Sequence, residues 1–223
     1  MIDFAAARRM MVDCQVRTSD VTDLRLIAAM QELPRERFLP EAMAALAYLD
    51  IDVPLAEPKG GAPARRLLKP MVLAKLIQAA EIRVGDHVLD VGCATGYASA
   101  ILARLAGSVV ALEEDPSLMR RAKENLRAVG APNAAVVMGP LTAGWPPGTP
   151  YDVILLDGAA EVAPTSLLRQ LKDGGRLVGV IGHAPATKAM LYRAFPPDVS
   201  GRPIFDAAAP LLPGFAQPPS FAF

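Results

Sequence analysis

Residues 88–115, VLDVGCATGYASAILARLAGSVVALEED, constrain this chain more than any other stretch. Val88, Leu89 and Val91 form a short apolar run interrupted by Asp90. Gly92, Cys93, Ala94, Thr95 and Gly96 then make a turn with almost no side-chain bulk. Ala98 to Leu105 follow a helical apolar pattern, and Val109 to Leu112 form a second apolar strand. Glu113 lies 21 residues after Gly92, at the tip of that strand. Strand, bare turn, helix, strand and acid make a βαβ unit of the nucleotide-binding kind. The bare turn lets a ligand approach the backbone, and an acid about 20 residues on can hold ribose hydroxyls. The plainer alternative is a strand–turn–helix that binds nothing.

The chain divides into three parts, 1–80, 81–209 and 210–223. In the first, Met10, Met11, Cys14 and Val16, then Leu24, Leu26, Ile27 and Met30, predict two amphipathic helices, the second ended by Pro34. Ala42 to Tyr48 reads as a short helix or turn, Pro54 to Ala64 as a loop, and Pro70 opens a further helix. In the second part, strands are expected at about 87–91, 108–112, 135–138, 151–156 and 176–181. A helix capped by Asp115 follows the second strand, and another covers Ser166 to Leu171. Strands alternating with helices predict an α/β fold with a doubly wound, mostly parallel sheet. Ligands on such sheets bind beyond the carboxyl ends of the strands. That gathers the 92–96 turn, Glu113, the 139–145 loop and the 157–160 loop into one cleft. Beyond it, Thr187 to Phe195 reads as a last helix and Pro203 to Ala209 as an edge strand. The tail, PLLPGFAQPPSFAF, is apolar but too rich in proline for a helix. It is expected either to lie in a groove of its own domain or of a partner, where it would support an oligomer, or to be disordered.

Composition excludes several classes. Lys+Arg and Asp+Glu are 23 each, so a broad phosphate-contacting surface for nucleic acid is not expected. No apolar run is long enough to span a membrane, and the N-terminus does not read as a secretory signal. Two cysteines, Cys14 and Cys93, make no disulfide framework, and His87 and His183 are too isolated for metal ligation. A cytoplasmic protein without a metal is expected.

The turn spacing is Gly92-x-Ala94-x-Gly96 with Asp90 two residues ahead. It resembles the first motif of class I S-adenosylmethionine-dependent methyltransferases. The resemblance implies that the backbone of this turn faces the methionine end of the cofactor and that Glu113 binds the ribose. Four blocks, the turn among them, narrow it. LPRERFLPEAMAALAYLD (33–50), VLDVGCATGYASAILARL (with the pair Gly96-Tyr97), GPLTAGWPPGTPYDVILLDGAA (139–160) and LLRQLKDGGRLVGVIG (167–182) resemble, in order and spacing, signature segments of protein-L-isoaspartate O-methyltransferases. The likeness covers roughly residues 10–185. It implies a Rossmann-like methyltransferase sheet with a helical N-terminal extension. It also implies methyl transfer from S-adenosylmethionine to the carboxylate of L-isoaspartyl residues in damaged proteins, which is a repair reaction. The cofactor contacts it implies are Asp90, Gly92, Cys93, Ala94, Gly96, Tyr97, Glu113, Glu114, Pro140, Leu141 and Asp157.

Departures fall on functional positions. The family's T-I-S-x-P segment, whose hydroxyls contact cofactor and acceptor, corresponds to Arg66, Leu67, Leu68 and Lys69 before Pro70. The acceptor-loop positions Leu68 and Arg66 therefore carry no hydroxyl, and Arg65, Arg66 and Lys69 form either a carboxylate-steering group or a solvated basic loop. Pro140 stands where the family places an Asp against the adenine amino group. These changes leave three readings: the family's enzyme, a paralogue with another acceptor, or a non-catalytic scaffold docking through its tail. A carboxylate acceptor, with a pKa near ~4, is ionised at neutral pH and needs no general base. Asp90 is expected to order the glycine turn by bonding its N–H groups, or to meet the cofactor amine. Asp157 either touches the methionine moiety or caps its own turn, and Trp145 either stacks near adenine or belongs to the local core. Cys93 reads as a small turn residue rather than a nucleophile.

Overall fold

The computed structural model describes residues 2–55 and 64–217. Its centre is the sheet that the alternating pattern predicts. β3 (His87–Val91), β4 (Ser108–Glu113), β5 (Ala134–Met138), β6 (Tyr151–Ala160), β7 (Leu171–Ile181), β8 (Lys188–Phe195) and β9 (Asp198–Asp206) pair in the order β5-β4-β3-β6-β7-β8-β9. β5 through β7 in that order are parallel, and β8 and β9 continue as an antiparallel meander. A small antiparallel pair, β1 (Val53–Pro54) and β2 (Arg66–Leu67), stands apart from it. The direction of strand succession reverses between β3 and β6. That is the switch point, where sheets of this kind open a crevice at the carboxyl ends of the strands.

The pleat sorts side chains to two faces. Val88, Val153, Leu155, Val178 and Val180 pack on the first face against the helices, in one cluster that begins at Met11 in the N-terminal segment. The helices there are α1 (Phe4–Met11), α2 (Leu24–Glu32), α3 (Pro70–Ala79), α4 (Tyr97–Leu105) and α5 (Pro116–Ala128). Local chemistry sets their starts. Asp3, Asp23 and Asp115 each accept from backbone N–H groups of the first turn of α1, α2 and α5, and Pro70 and Pro116 occupy first-turn positions. The second face carries Leu89, Val91, Ile154, Leu156 and Leu177. It is covered by thinner material: the one-turn helix α6 (Thr165–Leu168), Leu141, and Leu212 and Phe215 from the tail.

Several expectations change. The helix expected over Ser166–Leu171 is Thr165–Leu168, and β7 begins at Leu171, ahead of the predicted Arg176. Residues 188–195 form the strand β8, not a helix. Lys188, Ala189, Met190, Leu191 and Arg193 suit a helix by propensity. Yet Ala189 and Leu191 alternate into the core while the segment pairs with β7, and that burial decides the outcome. The edge strand accordingly starts earlier than predicted, at Asp198, and ends at Asp206. β6 also runs past Asp157-Gly158 to Ala160, because the tail supplies a parallel bridge from Leu211 to Ala159. Of the expected Pro54–Ala64 loop, residues 56–63 lie outside the described residues, as do 218–223 of the tail. No helix among the described residues is long and apolar enough to cross a membrane.

Candidate active site

The glycine turn sits at the switch point. Gly92 and Cys93 both donate their N–H to the Leu112 carbonyl at 3.0 Å, which binds the turn to the end of β4. Gly92, Ala94 and Gly96 have φ of 82°, 52° and 91°. Ala94 thus bears left-handed strain that glycine would avoid. Glu113 supplies the compensation. Its carboxylate accepts from Ala94 N–H at 2.8 Å and from Glu114 and Asp115 N–H at 2.9 and 3.0 Å. The acid that orders the turn is therefore Glu113, not Asp90 as one expected role had it. Asp90 accepts instead from the Ser99 hydroxyl at 2.5 Å, and its other oxygen has no partner.

Asp90 ends up near Asp157, which lies within the neighbouring strand β6. Both are buried. Burial raises the Asp90 carboxyl to about 7, partly opposed by the Ser99 hydrogen bond. Burial, then the Asp90 charge, holds Asp157 well above the usual carboxylate range. One oxygen of Asp157 also lacks a partner. Cys93 is fully buried, and burial followed by the charge of Asp90 pushes its thiol well up, which suits a packing residue rather than a nucleophile.

Two residues that the sequence left ambiguous close the cleft. Arg65 is not solvated. Its Nη1 and Nη2 donate to the two Glu113 oxygens at 2.7 and 2.9 Å, and Nη2 also donates to the Gly92 carbonyl at 3.0 Å. Leu212, from the tail, lies against the turn. A Cβ on Gly92 would stand 2.9 Å from Leu212 Cδ2, and one on Gly158 2.6 Å from Leu212 Cγ. The tail is held by Ala159 N–H to the Pro210 carbonyl (2.8 Å), Leu212 N–H to the Ala159 carbonyl (2.9 Å) and Glu161 N–H to the Phe215 carbonyl (3.0 Å). Residues 210–217 of the tail therefore lie in a groove of their own chain.

The remaining candidates separate. Tyr97 opens α4 fully buried, edge-on to Phe38. Glu114 is exposed, and its carboxylate accepts weakly from Leu141 N–H at 3.4 Å. Pro140 is exposed beside buried Leu141. Trp145 packs with the second-face core, its ring near Gly139. Leu68 is buried, and its carbonyl accepts from Arg35 Nη2 at 2.6 Å, while Arg66 is exposed and donates to the Asp52 carbonyl at 3.1 Å. The basic trio is thus split, with only Arg65 turned to the glycine turn. Sequence reasoning gave Arg35 no role. It is wholly buried, donates to the Ala47 carbonyl at 2.7 Å, and stands 4.7 Å from the centre of the Tyr97 ring. Sequence offered little signal: Arg35 and Arg37 both lie between Pro34 and Pro40, and nothing in that segment separates the buried arginine from the exposed one.

S-adenosylmethionine does not fit the cleft in this arrangement. Arg65 takes up the carboxylate expected to hold the ribose. Leu212 covers the turn expected to face the methionine end.

Comparison with known proteins gives one answer. The family model for protein-L-isoaspartate(D-aspartate) O-methyltransferase matches residues 7–194. Protein-L-isoaspartate O-methyltransferase 1 of Rhodopseudomonas palustris (strain HaA2) is 40% identical over 179 residues, covering 80% of this chain and 71% of the relative. That of Methanoculleus marisnigri is 38% identical over 175 residues, covering 78% and 77%. A solved protein-L-isoaspartate O-methyltransferase superposes with a TM-score of 0.79 at 26% identity, covering 93% of this chain and 66% of that one. The chain belongs to the protein-L-isoaspartate(D-aspartate) O-methyltransferase family, enzymes that use S-adenosylmethionine and act on proteins bearing isoaspartyl residues.

Proposed function

We propose that this protein methylates the carboxylate of L-isoaspartyl residues in damaged proteins or peptides, with S-adenosylmethionine as donor. One observation carries the reading. The bare turn at Gly92–Gly96 stands at the switch point of the sheet, with the Glu113 carboxylate fixed beside it by three backbone N–H groups. Methyl transfer to an ionised carboxylate asks the protein for alignment and exclusion of water rather than for a base. The site's composition agrees: its acids are Asp90, Asp157 and Glu113, and exposed His183 points to Gln217 at 2.9 Å. Asp90, Gly92, Cys93, Ala94, Gly96, Tyr97, Glu113, Glu114, Pro140, Leu141 and Asp157 are our assignment of the cofactor side. Arg66 and Leu68 mark the acceptor side. Two free cysteines accord with a cytoplasmic location.

A second reading has its own observation. The Arg65–Glu113 pair and Leu212 fill the cleft, as they would in a non-catalytic scaffold. The two part on a methylation assay with labelled S-adenosylmethionine. The enzyme esterifies an isoaspartyl peptide and spares its aspartyl isomer. If neither the full chain nor a form lacking residues 210–223 esterifies either peptide, the enzyme reading is lost.

A further inference from the structure

We propose that the chain carries its own competitor for the cofactor. Arg65 and Leu212 form a reversible intramolecular plug, and S-adenosylmethionine enters only as they withdraw. The inference rests on the methyltransferase reading above.

The chemistry of the plug matches the parts it blocks. A ribose diol offers two adjacent donors to one carboxylate. The Arg65 guanidinium does the same, with two nitrogens on the two Glu113 oxygens at 2.7 and 2.9 Å. Its contact to the Gly92 carbonyl ties the same side chain to the turn. Leu212 occupies the space that a side chain would need at two glycines, Gly92 just after β3 and Gly158 within the adjacent β6. Those are the surfaces where a turn without side chains admits a ligand.

The plug is also lightly attached. Among the described residues the tail joins the sheet through one parallel bridge, Leu211 to Ala159, whereas β8 pairs with β7 along six consecutive residue pairs. Leu212 and Phe215 are its buried apolar anchors. Beside it, Asp90 and Asp157 each keep one buried oxygen without a protein partner, so the cleft retains acceptors that the plug does not satisfy. A buried polar oxygen left without a partner is destabilising, and a ligand admitted to the cleft could supply one.

The test is calorimetric titration of S-adenosylhomocysteine into four proteins: the full chain, Arg65→Ala, the chain ended at Ala209, and that shortened chain with Glu113→Gln. Amide hydrogen exchange of the full chain accompanies it. Arg65→Ala and the shortened chain are each expected to bind at least about tenfold more tightly than the full chain, with Glu113→Gln abolishing the gain. Ligand is expected to speed exchange at the Leu212 amide in the full chain. Should the shortened chain fail to fold, Leu212→Gly takes its place. Equal or weaker binding by the opened variants, with the full chain binding well and methylating an isoaspartyl peptide, would overturn the plug and leave the enzyme standing. Absence of binding and of methylation in every form would overturn both.

Discussion

Arg65 grips Glu113 with both terminal nitrogens, at 2.7 and 2.9 Å, and both side chains are buried. Removing the charge from one partner strands the other. Glu113→Gln is therefore expected to cost about 3–5 kcal/mol, the usual penalty for breaking a buried pair. For a chain of this size that lowers Tm by about 10 °C, which scanning calorimetry reads directly. A drop under about 2 °C would mean that the pair is open in solution.

Asp157→Asn bears on pH dependence. Burial raises the carboxyls of both Asp90, to about 7, and Asp157. A carboxyl whose folded value lies above its unfolded value contributes fully below the unfolded value and loses that contribution as pH rises through the folded one. The urea midpoint should therefore fall between about pH 5 and pH 8. Asp157→Asn cannot ionise and no longer repels Asp90, so its midpoint should change less over that interval. Parallel curves for the two proteins would contradict the assignment.

Arg35 holds two carbonyls, of Ala47 and Leu68, from a fully buried position. Arg35→Ala leaves both unpaired, at about 1–3 kcal/mol each. Arg35→Lys should not rescue it, because a single ammonium cannot reproduce the planar fork or its place over the Tyr97 ring. Urea denaturation of the two variants gives the comparison. Full recovery by lysine would refute the fork as the reason for arginine here.

Gly158→Ala places a methyl group 2.6 Å from Leu212 Cγ and 3.0 Å from the Pro210 carbonyl oxygen. Backbone cannot give way as a side chain end can, so the tail should lift while the sheet persists. Carboxypeptidase should then shorten the variant much faster than the parent at unchanged circular dichroism. Equal rates would show that the strand end and tail tolerate the contact.

Much of this was readable from local chemistry. The run Val88–Val91, the turn after it and the acid at Glu113 specify strand, turn and strand without long-range information, and Asp115 with Pro116 announces α5. The composition of β8 favours a helix, and only pairing with β7 reveals the two-residue period. The fate of Arg65 was hidden for another reason. Its partner lies 48 residues away, and nothing in Arg65-Arg66-Leu67-Leu68-Lys69 distinguishes the buried cation from the exposed one. The turn-ordering role expected of Asp90 falls to Glu113 because an acid on either strand end can reach the same turn, and only distances separate them.

The first-face cluster joins Met11, Val12 and Val16 to Val178, Val180 and Leu191 in one continuous core among the described residues. N-terminal helices and C-terminal strands are walls of the same room. Heating should open them together, in one transition whose calorimetric and van't Hoff enthalpies agree. A fragment beginning at residue 81 would expose the aliphatic lining of half that room and aggregate rather than stand alone.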